Sequence, residues 1–330
     1  PHYEQIVLRI NPKESDQFDL VLVRGARIYT SNRDRPMPMT PPPFAMMLRK
    51  HLKNARMTGV RQLGFDRVLA FDFDTKFGER HLYVEVFRDG NIILTDEEGI
   101  IIQPLTHASY SGRTLKKGVL YQPPPQALDP HEMELETLKE MLENSDRDLV
   151  STLGGKANLG GIHANAVCDL AGIKPNIDAK DASPEKILTS LQKLLSDLSN
   201  SNGGYILLKT SEEFDKDGLK KHILSLENNS IRDRFLEQHA VEATPTLLPS
   251  HLEMVQMKFE SLCHSVDAWK GAHDAGALAR REAEKLDIAA PGRGFSTDVE
   301  RLERRKAQQE KALRDERDRL RDERDAWRRA

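Results

Sequence analysis

The chain has 330 residues, enough for about two or three compact domains, with 31% charged and 38% hydrophobic residues and a formal net charge of −3. That balance excludes a polyanion grip driven by global charge, so any such contact must come from a local patch. No apolar run approaches a membrane span and no signal peptide opens the chain. Cys168 and Cys263 lie far apart without metal-type spacing, so reduced core thiols, a cytoplasmic setting and no membrane partner are expected.

Residues 1–122 read as β-rich. Gln5–Ile10, Leu20–Arg24 and Arg27–Thr30 are short runs split by Asn-Pro and Arg-Gly punctuation. Thr40, followed by Pro41, Pro42 and Pro43, predicts a helix start, with prolines where free N–H groups have no partner anyway. Within that helix Phe44, Met47, Leu48, Leu52 and Ala55 recur at core-facing spacing. Arg49, Lys53 and Arg56 fall at i, i+4 and i+7 on one stripe, with Lys50 beside it. Strands resume at Val68–Phe73 and His81–Phe87, the second alternating Leu82, Val84 and Val86 against Tyr83, Glu85 and Phe87. Arg88-Asp89-Gly90-Asn91 predicts a tight hairpin into Ile92–Thr95. Gly99–Leu105 closes an antiparallel meander, and Pro123-Pro124-Pro125 marks a boundary.

Residues 130–260 read as mainly helical, with amphipathic segments at Glu134–Leu142 and Ser183–Leu198. Between them, residues 149–173 suggest two short helices flanking a hairpin at Leu159-Gly160-Gly161, the second starting near Ile162. Tyr205–Lys209 reads as one more strand. From Asp298, the residues Val299, Leu302, Leu313, Leu320 and Trp327 mark a sparse heptad seam, weakened by Lys306 and Gln309. It predicts one arm of a coiled coil, through which the chain could self-associate. The expected domains are therefore a β-rich one over 1–125, a helical one over 126–265, and a linker with the first coiled-coil arm over 266–330.

Three features carry candidate chemistry. The basic helix face of Arg49, Lys50, Lys53 and Arg56 can neutralise phosphates with salt-sensitive, sequence-independent affinity, or serve only as a solvated face. Asp66-Arg67, entering a strand after Gly64-Phe65, can present a guanidinium fork to phosphate or a base edge, or form a plain surface ion pair. The hairpin at Gly160 and Gly161 can offer backbone N–H groups to a phosphate at a helix N-terminus, or serve packing alone. Gly155-Lys156 is not a P-loop, because Ala157 stands where the hydroxyl residue belongs. The histidines lack zinc-type pairing and there is no Gly-x-Ser-x-Gly elbow, so neither catalytic residues, metal nor cofactor are expected.

Four segments together resemble the N-terminal part of the NFACT family, the group of the NEMF, RqcH and fibronectin-binding-protein-A-like proteins. They are Pro42–Leu52, Val60–Arg67, His81–Asp96 and the hairpin around Gly160-Gly161 with Ala164 and Cys168; the weaker Pro249–Trp269 stretch extends the match. The wording is nearer to archaeal and eukaryotic members. The resemblance implies an α+β fold: an antiparallel β-rich domain related to the N-terminal domain of formamidopyrimidine-type DNA glycosylases, then a helix-hairpin-helix domain and a coiled-coil helix. It implies a non-enzymatic role in ribosome-associated quality control. Such proteins bind the large ribosomal subunit carrying an obstructed peptidyl-tRNA, recruit tRNA, typically alanyl-tRNA, and support C-terminal tailing. The family's tRNA-binding Asp-Arg pair falls on Asp66 and Arg67. Candidate nucleic-acid contacts are then Asp66, Arg67, Arg49, Lys50, Lys53, Arg56, Lys156, Gly160 and Gly161. The family's extreme N-terminal segment and the domains beyond the first coiled-coil helix are missing, so the chain reads as a fragment. Pro1 matches the nucleophile position of the related glycosylases, but His2 stands where a carboxylate should follow, so that chemistry is not expected. The competing readings are a glycosylase-type DNA-repair protein and a coiled-coil scaffold or adhesin.

Overall fold

A computed structural model describes residues 5–35, 37, 41–110, 112–125, 127–210, 215–224 and 229–276. Pro1, His2, Thr40 and the heptad seam from Asp298 lie outside the described residues. The fold is mixed α+β with antiparallel sheets. Strands β1 (Gln5–Ile10), β2 (Phe18–Val23) and β3 (Arg27–Ser31) form the first sheet in that order. Helix α1 (Pro43–Leu52) follows, with Pro42 as its extended N-cap residue.

The helix ends earlier than its apolar spacing suggests. Lys53 is already extended and Asn54 takes a left-handed φ of 60°. Asparagine tolerates that region and so ends a helix much as glycine does. Arg56 consequently opens strand β4 (Arg56–Gln62). The expected helical stripe of Arg49, Lys53 and Arg56 is therefore corrected: Arg49 and Lys50 are helical, Lys53 caps the helix, and Arg56 lies on a strand.

β4 leads a five-stranded antiparallel sheet with β5 (Val68–Thr75), β6 (Gly78–Glu85), β7 (Ile92–Thr95) and β8 (Ile101–Pro104), in chain order. A small hairpin of β9 (Ala108–Tyr110) and β10 (Arg113–Leu115) follows. Then come α2 (Leu135–Glu143), α3 (Leu149–Gly155), α4 (Gly160–Ala171) and α5 (Pro184–Ser199). After these are β11 (Gly204–Leu208), α6 (Lys216–Leu224), α7 (Asn229–His239), β12 (Ala240–Thr244), β13 (Val255–Phe259) and α8 (Leu262–Val266). The single strand expected after Gly204 is the centre of a three-stranded sheet, ordered β12–β11–β13. The two added strands are short and polar along one side. Their register comes from pairing with distant β11, where Ile206 faces both Ala243 and Met257.

The chain divides into one unit of residues 1–34 and 39–273 and a second of 35–38 and 274–330, and every element above belongs to the first. Within it, alternation sets the layers. Ile6, Leu20 and Leu22 of the first sheet join Phe44 and Leu48 of α1 and Phe71, Phe73, Leu82, Val84, Ile92 and Leu94 of the second sheet in one core. The opposite face of the first sheet, through Val21, Val23 and Tyr29, meets Cys263 and Val266. The opposite face of the second sheet, through Ile93 and Ile101, meets Leu115, Tyr121 and Tyr83. Helices α2–α5 close a separate core around Leu138, Leu153, Val167, Ile187 and Leu191. Leu82→Ala, in the shared sheet core, is expected to cost about 2–5 kcal/mol, read as a lower urea midpoint at unchanged slope.

On the outer face of the second sheet, Asp72 accepts hydrogen bonds from Arg61 at 3.1 and 3.3 Å and lies 2.6 Å from Nδ1 of His81. Burial works to raise the Asp72 pKa, but the Arg61 and His81 hydrogen bonds outweigh it and hold the carboxyl below its ordinary range. A folded-state pKa below the unfolded value of about 3.9 gives stability that is complete above that value and is lost as pH falls through the folded one. Asp72→Asn is therefore expected to flatten the acid limb of a melting-temperature profile below about pH 4. Superimposable acid limbs would contradict this assignment.

Candidate nucleic-acid interface

The turn joining β4 to β5 sets the Asp66-Arg67 pair. Leu63 N–H donates to the Val68 carbonyl at 2.9 Å, and Gly64 takes a φ of 60° that lets the turn close. The Gln62 amide donates to the Asp66 carbonyl at 2.8 Å. The Asp66 carboxylate accepts from the backbone N–H of Arg67 at 2.6 Å. It thus braces the turn and makes no ion pair with the Arg67 guanidinium. Arg67 is pinned through its backbone, its carbonyl accepting from Val86 N–H at 2.7 Å, while its exposed side chain has no ion pair among the described residues. A guanidinium on an anchored backbone, without an acidic partner among the described residues, is suited to a phosphate or a base edge.

Asp66 and Arg67 line a cleft of about 710 Å³ with Phe87, Arg88, Asp89, Tyr110, Arg113 and the Pro123–Pro125 run. The cleft's inner wall is an ionic network. Glu85 is fully buried and holds Arg113 through both carboxylate oxygens, while the Tyr121 hydroxyl donates to Glu85 at 3.1 Å. The Arg113 guanidinium lies 4.9 Å from the Tyr110 ring centre and 5.9 Å from that of Phe87. Burial opposes the Arg113 charge, yet Glu85 more than offsets it and raises the Arg113 pKa. Burial first, then the Glu85 charge, pushes the Tyr121 phenol above its usual range. The Tyr110 hydroxyl donates to the Asp89 carbonyl at 2.7 Å, tying the β9–β10 hairpin to the β6–β7 turn. None of Glu85, Arg113 and Tyr121 was singled out for the site from sequence; the available signal was a carboxylate on the same strand face as Tyr83.

The helical turn between α3 and α4 stands beside the Asp66 loop. Asn158, at a left-handed φ of 58°, donates its side-chain amide to the Phe65 carbonyl at 3.0 Å and the Leu128 carbonyl at 3.3 Å. Gly160 takes a φ of 68° and opens α4, two residues earlier than Ile162. Gly160 and Gly161 are exposed, and the first N–H groups of a helix have no intrahelical partner. A Cβ on Gly154 would lie 3.4 Å from the Gly160 carbonyl carbon, so the two helices cross closely there. Lys156 is placed differently: its ammonium donates to the carbonyl of Asn144, the residue capping α2, at 2.9 Å.

The structure thus brings Asp66, Arg67 and the Gly160-Gly161 turn together, but not the cations of 49–56. Arg56 pairs with Asp74 and Gln62 with Leu69 at opposite ends of the β4–β5 ladder. The six residue steps from Arg56 to Gln62 span about 20 Å at the usual strand rise. Among the described residues, no group of three or more His, Cys, Asp or Glu side chains is arranged to hold a metal. Glu85→Gln is expected to destabilise the fold by about 3–5 kcal/mol by leaving Arg113 buried without its charge partner, measured by urea unfolding; a loss under about 1 kcal/mol would mean the pair is dispensable.

The family described as NFACT N-terminal and middle domains matches residues 1–327. The archaeal Rqc2 homolog aRqcH of Methanocaldococcus jannaschii is 34% identical over 220 residues, 64% of this chain and 33% of that protein. The ribosome quality control complex subunit NEMF of Mus musculus is 30% identical over 293 residues, 82% of this chain and 25% of that protein. The chain therefore spans about a third and a quarter of the length of these two relatives. The fibrinogen binding protein from Staphylococcus aureus shares the fold at a TM-score of 0.56 and 16% identity, over 81% of this chain and 88% of that one. With its family match running almost end to end, the chain belongs to the NFACT family, in the region of the N-terminal and middle domains.

Proposed function

We propose that this chain is the RNA-gripping part of a ribosome-associated quality control factor, without enzymatic chemistry of its own. The observation that carries the reading is Arg67: an exposed guanidinium on a backbone pinned from both sides, at the mouth of an aromatic cleft and beside the α3–α4 turn. The names of its relatives, an archaeal Rqc2 homolog and a ribosome quality control complex subunit of the mouse, support the same setting.

In this reading α3 and α4 act as a helix-hairpin-helix, and the sheets reuse the architecture of the formamidopyrimidine-type glycosylases for binding. Arg67 takes a phosphate or a base edge, and Asp66 fixes the turn that presents it. The amides of Gly160, Gly161 and Ile162 take a neighbouring phosphate, aided by the dipole of α4. The ligand is a tRNA, alanyl-tRNA by the family resemblance, held in the cytoplasm on a large ribosomal subunit whose peptidyl-tRNA is obstructed. The contribution to C-terminal tailing is to hold that tRNA in place. Such contacts read shape and backbone more than sequence.

Arg67→Ala is expected to weaken binding of a folded tRNA by about tenfold or more, in line with a lost charge-assisted contact of 1.5–3 kcal/mol, at an unchanged melting temperature. Asp66→Ala should act through the turn, weakening binding while raising the protease sensitivity of residues 63–67. Undiminished tRNA retention in both variants would remove the pair from the function.

A further inference from the structure

The cations displaced from the cleft gather at the far end of the five-stranded sheet. Arg49 and Lys50 occupy the last turn of α1, Lys53 caps it, and Arg56 opens β4. The β5–β6 turn adds Lys76 and Phe77, and β6 adds Arg80, whose guanidinium donates to the Glu79 carbonyl. The His51 ring lies 5.3 Å from that of Phe77, and the Lys76 ammonium lies 4.9 Å from the Phe77 ring centre. Phe77 is 42% exposed. None of these six Lys and Arg side chains makes an ion pair among the described residues, although Asp74 faces Arg56 across the ladder and Glu97 reaches towards Gly78. Burial first, then the charges of Arg80 and Lys50, lowers the His51 pKa, so a neighbour already registers the positive field.

We propose that this end of the sheet is a second RNA-binding face, taking the phosphate backbone of a folded RNA on its cations and stacking an unpaired base on Phe77. The proposal rests on the RNA-binding reading above and adds a separate contact, about 20 Å from Arg67 along the β4–β5 ladder. Unpaired cations around an exposed ring are what a sequence-tolerant single-stranded contact requires. A bilayer surface would instead demand a broad apolar face, and here the large exposed apolar side chains are Phe77 and Met46.

The test is binding of a folded tRNA transcript to the full chain across a salt series, with phosphatidylserine vesicles as a parallel arm. Lys50→Gln/Lys53→Gln/Lys76→Gln alters exposed side chains only, and should reduce the slope of log affinity against log salt by about 2–3. The corresponding Lys→Arg triple should retain the slope. Phe77→Ala should weaken binding by roughly tenfold at an unchanged slope, additively with Arg67→Ala as for distant sites. An unchanged slope in the glutamine triple, with Arg67→Ala still weakening binding, overturns the second face and leaves the Arg67 reading intact. Loss in the glutamine triple with Arg67→Ala indifferent keeps the second face and removes the Arg67 reading. Vesicle binding lost in the glutamine triple, without tRNA binding, overturns both.

Discussion

One asparagine side chain ties two distant pieces of chain together. Asn158 sits in a left-handed turn between two helices, where its short polar side chain is tolerated. Its amide donates to the carbonyls of Phe65 and Leu128. That clasp fixes the helical turn against the loop that carries Asp66 and Arg67.

Behind that loop the protein uses arginine in two opposite ways. Arg113 is held by a fully buried carboxylate and a tyrosine hydroxyl, and its plane stands near two aromatic rings. Its charge is answered inside the fold, so it acts as a wall. Arg67 has an equally fixed backbone, but its side chain makes no ion pair among the described residues. Wall and probe stand in one cleft, and the difference between them is whether an acid lies within reach. A fixed guanidinium loses less conformational freedom on meeting a ligand than one that must first be ordered, which favours binding.

Legibility in the sequence followed the range of the interactions. The strands around Leu82 and Ile92, the hairpin at Gly90 and the helical pair around Gly160 were readable, because alternation and turn chemistry are local. The Asp66-Arg67 pair could be singled out for the same reason, though not the Asp66 bond to the backbone in place of the neighbouring guanidinium. The end of α1 was misjudged because apolar spacing continues through Ala55 while Asn54 turns left-handed. Short strands β12 and β13 were missed because their register depends on β11. Asn158 reaches a carbonyl 93 residues away, and Arg113 reaches an acid 28 residues away. No local pattern announces partners at such separations.

Arg67 is presented to solvent, whereas Arg113 is retained within the fold. Arginine-selective modification, mapped by mass spectrometry with and without bound tRNA, tests it directly. Arg67 is expected to react readily in the free chain and to be protected by tRNA, while Arg113 stays inert in both states. Equal modification of Arg67 with and without saturating tRNA would contradict it.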